Sequence, residues 1–153
     1  MIRLLKPWHE NISKRQVKTP KIYIRDSGIC HYLLDITERN RLGHPKIGAL
    51  WEGYALEEVI RKISVSKDSF YFWRTENIAE IDLVMVRGDR RIGFEFKYAD
   101  TPKVTRAAHI GLSDLQLDHL YLVTPKGAKY KIEEKITAIG LEDLVYTPDS
   151  ISL

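Results

Sequence analysis

The clearest periodic signal in the chain begins at residue 47. Ile47, Leu50, Trp51, Tyr54, Ala55, Val59, Ile60 and Ile63 recur at intervals of three and four, which predicts a helix with one apolar face over Gly48 to Ser64. Upstream, Lys21-Ile22-Tyr23-Ile24-Arg25 alternates and is rich in β-formers, so a short strand is expected there. A helix through Ile29, Tyr32, Leu33 and Leu34 should follow it, capped by Asp26 or Ser27. The first twenty residues are polar and weakly patterned and read as an extended arm, and Arg39 to Pro45 reads as a loop. Downstream, Phe70 to Trp73, Ile81 to Val86 and Ile92 to Tyr98 are strand-like. Thr101-Pro102 signals the start of a helix running to about His109. Leu120 to Val123 has the look of a buried strand, with shorter ones at Tyr130 to Ile132 and Thr137 to Ile139 and a helical turn at Leu141 to Leu144. Lys126-Gly127-Ala128-Lys129 reads as a hairpin turn. The order predicts an α/β domain over residues 47–153, a mixed sheet flanked by helices, behind an N-terminal arm of residues 1–46 with one strand and one helix.

Composition narrows the class. Apolar residues make up 44% of the 153, enough for a core without disulfides or a structural metal. Cys30 is the single cysteine, which excludes an internal disulfide and fits a reducing cytoplasm. No stretch is long and apolar enough to span a membrane. Residues 1–46 hold ten Lys and Arg against four acids, while residues 47–153 hold 14 basic and 17 acidic residues. A basic third beside a mildly acidic body suits contact with a polyanion such as DNA, through Lys14, Arg15 and Lys18 and, beyond the motif strands, Lys103 and Arg106. A solvated basic surface explains the same residues. The five histidines are scattered with no i, i+4 pair, and no GxSxG-type nucleophile signature occurs. Trp51, Tyr71, Phe72 and Trp73 read as core rather than base-stacking residues.

Chemistry concentrates between Glu80 and Tyr98. With Gly88-Asp89 as a two-residue turn, Ile81 faces Phe96, Leu83 faces Phe94 and Met85 faces Ile92 on one apolar face. On the other face Asp82 lies opposite Glu95, and Lys97 stands two residues beyond on the same side. Facing carboxylates with Cβ atoms roughly 4.5–5.5 Å apart repel one another. A divalent cation, Mg²⁺ or Mn²⁺, between them removes the penalty. Glu52 shares a helix face with Leu56, Val59 and Ile63 and extends that stripe with a carboxylate. Glu57 and Glu58, four residues before Arg61 and Lys62, read instead as solvated members of surface ion pairs.

These residues carry a resemblance. Gly48-Ala-Leu-Trp-Glu52, Glu80-Ile-Asp82 and Glu95-Phe-Lys97 resemble the PD-(D/E)XK nuclease superfamily, which includes restriction enzymes and archaeal Holliday junction resolvases. Ile81 stands where that motif has proline. The resemblance implies a restriction-endonuclease-like core in which Asp82 and Glu95 are metal ligands, Lys97 the catalytic lysine and Glu52 the helical acid that holds a second metal or a bridging water. Leu5-Lys-Pro-Trp8, Lys14-Arg15, Lys21-Ile-Tyr23, Asp26-Ser-Gly28, Gly48-Ala-Leu-Trp-Glu52, Phe72-Trp73-Arg74 and Glu80-Ile-Asp82-Leu83 resemble an uncharacterised C-terminal domain that follows an archaeal-type AAA+ ATPase module. That implies a C-terminal fragment or solitary relative, and no GxxxxGK[ST] phosphate loop is present to bind ATP.

Two functions are therefore expected. One is a metal-dependent phosphodiesterase acting on DNA. The other is a catalytically silent nucleic-acid-binding, regulatory or protein-interaction module of an AAA+ ATPase system.

Overall fold

The computed structural model describes residues 1–63, 70–76, 78–147 and 151; Ser64, the predicted end of the long helix, lies outside them. Ile2–Pro7 forms a strand, β1, where the weak patterning predicts an extended arm. Its alternation is inverted, which is why it escapes a hydrophobicity reading. Ile2 and Leu4 face outward, while Arg3 and Leu5 turn inward, Arg3 to an acid and Leu5 to the core. β1 pairs antiparallel with β2 (Lys21–Ile24) and parallel with β3 (Phe70–Arg74), so the N-terminal segment belongs to the sheet. Residues 8–17 strap it down: Trp8 N–H donates to the Phe72 carbonyl at 2.7 Å and Val17 N–H to that of Arg74 at 2.9 Å.

Asp26 caps helix α1 (Ser27–Leu33) as predicted, its carboxylate accepting from Ile29 N–H at 3.0 Å. A 3-10 turn at Arg41–Gly43 leads to α2 (Ile47–Ile63). β4 (Glu80–Arg87), β5 (Arg90–Phe96), α3 (Arg106–Asp114), β6 (His119–Thr124), β7 (Tyr130–Glu133), β8 (Ile136–Gly140) and α4 (Leu141–Tyr146) complete the order. Among the described residues eight strands form one mixed sheet, β2-β1-β3-β4-β5-β6-β8-β7.

Two further elements differ from expectation. Helix α3 starts at Arg106 rather than at Thr101-Pro102, because the Thr105 hydroxyl accepts from Ala108 N–H at 3.2 Å and caps it there. Lys103 therefore precedes the helix and Arg106 opens it. Lys126 to Lys129 is not a hairpin turn. β8 inserts between β6 and β7, so this segment carries the chain past β8 to the sheet edge, and Gly140 N–H donates to the Gly127 carbonyl at 3.0 Å.

The sheet separates two cores. Under α2 and α4 lie Leu83, Met85, Ile92, Phe94 and Phe96; under α3 lie Trp73, Ile81, Val84, Leu120 and Leu122. Gly111 lets α3 settle on the sheet, since a Cβ there would meet Ile81 Cδ1 at 2.5 Å. Phe72 and Trp73 are wholly buried, as predicted, and Trp51 and Tyr71 partly so.

The β4–β5 hairpin turns at Gly88, whose φ of +58° suits the first position of a two-residue turn. Its predicted register holds for Arg87↔Arg90, Met85↔Ile92 and Leu83↔Phe94. Beyond that the reading fails. Against β3 the partners run Tyr71↔Val84 and then Trp73↔Ile81, so β4 carries one extra residue in this stretch. The bulge turns Ile81 to the α3 side, away from Leu83 and Met85, and the pairs Ile81–Phe96 and Asp82–Glu95 are absent from the ladder.

Candidate active site

The end of the ladder makes the site. With β4 and β5 no longer paired there, the Asp82 carboxylate takes over a backbone acceptor's work: its Oδ2 receives Phe96 N–H at 3.1 Å. Lys97 N–H turns the other way and donates to the Val123 carbonyl on β6 at 2.9 Å. Glu95 is 3% exposed, and its Oε2 lies 3.1 Å from Lys97 Nζ. Its Oε1 is buried and has no hydrogen-bond partner among the described residues. Trp51 meets Tyr98 with ring centroids 5.8 Å apart, bringing the N-terminal half of α2 to the strand end.

The charges there are mutually perturbed. Burial pushes the carboxyls of Asp82, Glu95 and Glu52 above their usual range. Lys21 and Lys97 pull Asp82 and Glu52 the other way, and Lys97 does the same to Glu95. Burial opposes a charge on Lys97, but Glu95, Asp82 and Glu52 outweigh it and raise the lysine above its normal value, so it stays an ammonium at neutral pH. Several perturbed groups in one place mark a functional-site candidate.

The donor set fits a hard divalent cation in a limited way. Mg²⁺ keeps several waters and takes one or two carboxylates together with substrate phosphate. Asp82 and Glu95 each spend one oxygen on a protein donor and keep another, Oδ1 and Oε1. Glu52, exposed on α2, is coupled to them electrostatically but does not complete a shell. Among the described residues no three His, Cys, Asp or Glu side chains are grouped so as to hold a metal ion.

Residues 47–144, and so the whole Asp82–Lys97 constellation, match the family described as Domain of unknown function (DUF4143). The chain belongs to that family. DUF4143 is a domain found after AAA ATPase modules in other proteins. Residues 1–40 match a second family, Domain of unknown function (DUF8612). Two uncharacterized proteins, from Mycobacterium tuberculosis and Mycobacterium bovis, are each 39% identical over 148 residues. Those residues are 96% of this chain and 33% of either relative, so the chain spans about a third of the relatives' length. No solved structure matches. No described helix is long and apolar enough to cross a membrane.

The DUF8612 segment is not a separate basic arm. At least five of its eight bases are spent on acids of the DUF4143 part. Lys14 reaches Asp114 at 2.6 Å, Arg15 reaches Glu76 at 2.8 Å, Lys21 reaches Glu80, and Arg3 and Arg25 both reach Glu57. Two of the predicted DNA contacts, Lys14 and Arg15, thus pair within the chain, although the Arg15 side chain stays 83% exposed; Lys18, Lys103 and Arg106 are exposed, Lys18 far in the sequence from the other two. Glu57, expected to be solvated, is 3% exposed and sits between its two arginines, while Glu58 pairs with Arg61 at 2.8 Å. Sequence reading also missed Lys21, Glu80 and Arg74. Lys21 Nζ contacts Glu80 and lies 3.9 Å from Asp82 Oδ1, and Arg74 Nε is 3.5 Å from Glu80 Oε2. The signal was Glu80-Ile-Asp82, two acids one residue apart on a strand, which call for a cation from elsewhere.

Proposed function

We propose that this chain is a metal-dependent phosphodiesterase domain acting on DNA, with a restriction-endonuclease-like core around Asp82, Glu95 and Lys97. The observation that supports it most is Glu95 Oε1, a buried carboxylate oxygen without a partner, on a side chain whose other oxygen meets a lysine. An oxygen in that state wants a cation or a proton. Asp82 and Glu95 are the residues to hold Mg²⁺ or Mn²⁺, and Glu52 adds negative field without ligating. A bound divalent ion supplies Lewis acidity toward a phosphate and a lowered pKa for water. Lys97, held as an ammonium by Glu95, is placed to orient the attacking water and to offset charge that grows on the phosphate.

The test is cutting of linear, branched and single-stranded DNA by the purified chain with Mg²⁺ or Mn²⁺. Lys97→Ala should lose cutting by at least a hundredfold and keep metal and DNA affinity, because a lysine acting on the transition state is not a ligand. Glu95→Ala should lose metal and cutting together. If the wild type binds DNA as Lys97→Ala does and neither cuts any form with either metal, the enzyme reading ends.

The internal pairing of Lys14 and Arg15 favours a second reading, a silent module serving an AAA ATPase. That reading expects DNA affinity to be weak and its salt dependence shallow, because few phosphate contacts release few counterions.

A further inference from the structure

Lys21 reaches the site from outside the DUF4143 segment. It opens β2, where its ladder partner is Leu5. Its ammonium lies 5.0 Å from the centroid of the buried Phe72 ring and ends against Glu80, with the side chain only 25% exposed. From there Nζ stands 3.9 Å from Asp82 Oδ1. That oxygen is the one Asp82 has left, since Oδ2 already receives Phe96 N–H.

We propose that Lys21 is the resident counter-ion of the site: its ammonium, seated on Glu80, guards the open Asp82 oxygen, and a divalent cation binds there against its charge. The inference rests on the metal reading of Asp82 and Glu95 and adds regulation of that site by the N-terminal segment. A cation bound to Oδ1 sits about 2.1 Å from it. It would then lie within about 6 Å of an unmoved Nζ, in a partly buried place where like charges repel far more than in water. Glu80 already holds the lysine beside Asp82, and Arg74 holds Glu80 in place. Lys97 differs, because it attends Glu95 through Oε2 and leaves Oε1 open. Of the two lysines, only Lys21 stands at the oxygen a metal would take on Asp82.

Calorimetric titration of Mn²⁺ into the full chain tests this, comparing wild type with Lys21→Met, Lys21→Gln, Arg74→Met and Asp82→Asn. Lys21→Met and Lys21→Gln should bind Mn²⁺ at least tenfold more tightly than wild type. Arg74→Met removes a nearby positive charge that does not guard Asp82 and should shift affinity less than threefold. Asp82→Asn should abolish binding. Binding by the lysine variants alone, with none by wild type, supports the proposal most strongly. If wild type binds, Asp82→Asn does not, and the lysine variants bind no more tightly, the counter-ion role is overturned while the metal reading stands. Equal tightening by Arg74→Met also overturns it, since the effect is then a general field. If neither wild type nor either lysine variant binds Mn²⁺, the metal reading itself fails and takes the proposal with it. The two lysine substitutions keep the test open should one of them not fold.

Discussion

Glu57 and Glu95 are both 3% exposed, yet the two regions that hold them treat a buried carboxylate in opposite ways. At the seam where α2 meets β1 and β2, Glu57 is gripped by Arg3, by Arg3 Nη2 at 3.0 Å among other contacts, and by Arg25 Nε at 3.0 Å. Burial alone would push its carboxyl up, but the hydrogen bonds and charges of both arginines hold it below the usual range. At the open end of β4 and β5, Glu95 has one lysine, one orphaned oxygen and two acids within electrostatic reach, and its carboxyl is pushed up. The first is a completed ion pair network, which joins the DUF8612 segment to the DUF4143 part. The second is an incomplete one, and an incomplete buried site costs stability unless a ligand finishes it.

The largest expected effect breaks the finished network. Glu57→Ala leaves two arginines facing a hole, and stripping one partner from a buried pair costs about 3–5 kcal/mol. The Arg25 side chain is 50% exposed and can rehydrate, so the low end, about 3 kcal/mol, is expected in guanidinium denaturation at pH 7. A loss under about 1 kcal/mol would make Glu57 an ordinary surface acid.

The two arginines should also differ. Arg3 is 15% exposed at its side chain and gives Glu57 two hydrogen bonds, so Arg3→Met should cost about 2 kcal/mol. Arg25 gives one and is half in water, so Arg25→Met should cost less than about 1 kcal/mol. Equal losses by the same denaturation measurement would mean the pair is anchored by charge alone.

What the sequence disclosed divides along the same line. The hairpin register was legible as far as Leu83↔Phe94, because apolar residues on one face of two strands fix it. It stopped being legible at the bulge, which leaves no mark in an alternation that runs on unbroken through Ile81, Leu83 and Met85. Asp82, Glu95 and Lys97 come to the same strand end as predicted, but through the failure of the ladder rather than through facing pairs. Glu57 was misread because its i+4 neighbour Arg61 offers a local partner, whereas its real partners stand 54 and 32 residues away. The inverted strand β1 and the reach of Lys21 depend on contacts of the same range. Local periodicity carries no information about them.

The smallest effect concerns Glu95 and has the opposite sign. A carboxyl raised in the folded state holds its proton where the unfolded chain, with a value of about 4.3, has released it. As pH rises from there through the folded value, the unfolded state sheds protons first and stability falls, by at most about 1.4 kcal/mol per pH unit per group. Asp82 and Glu52 are raised too and add to the same decline. Glu57, with its lowered value, works the other way: its contribution is full above the unfolded value and is lost as pH falls through the folded one. Glu95→Gln removes one group from the decline and keeps the shape of the side chain. Lys97, with a 36% exposed side chain, can rehydrate when its partner is neutralised. Without added metal the variant should match wild type near pH 4 and flatten the decline above it. By pH 8 it should be the more stable protein, by about 1 kcal/mol or less. Melting curves from pH 4 to 8 in chelator give the comparison. Should Glu95→Gln lie below wild type by the same margin throughout, Glu95 is a satisfied structural acid like Glu57, and the contrast between the two regions disappears.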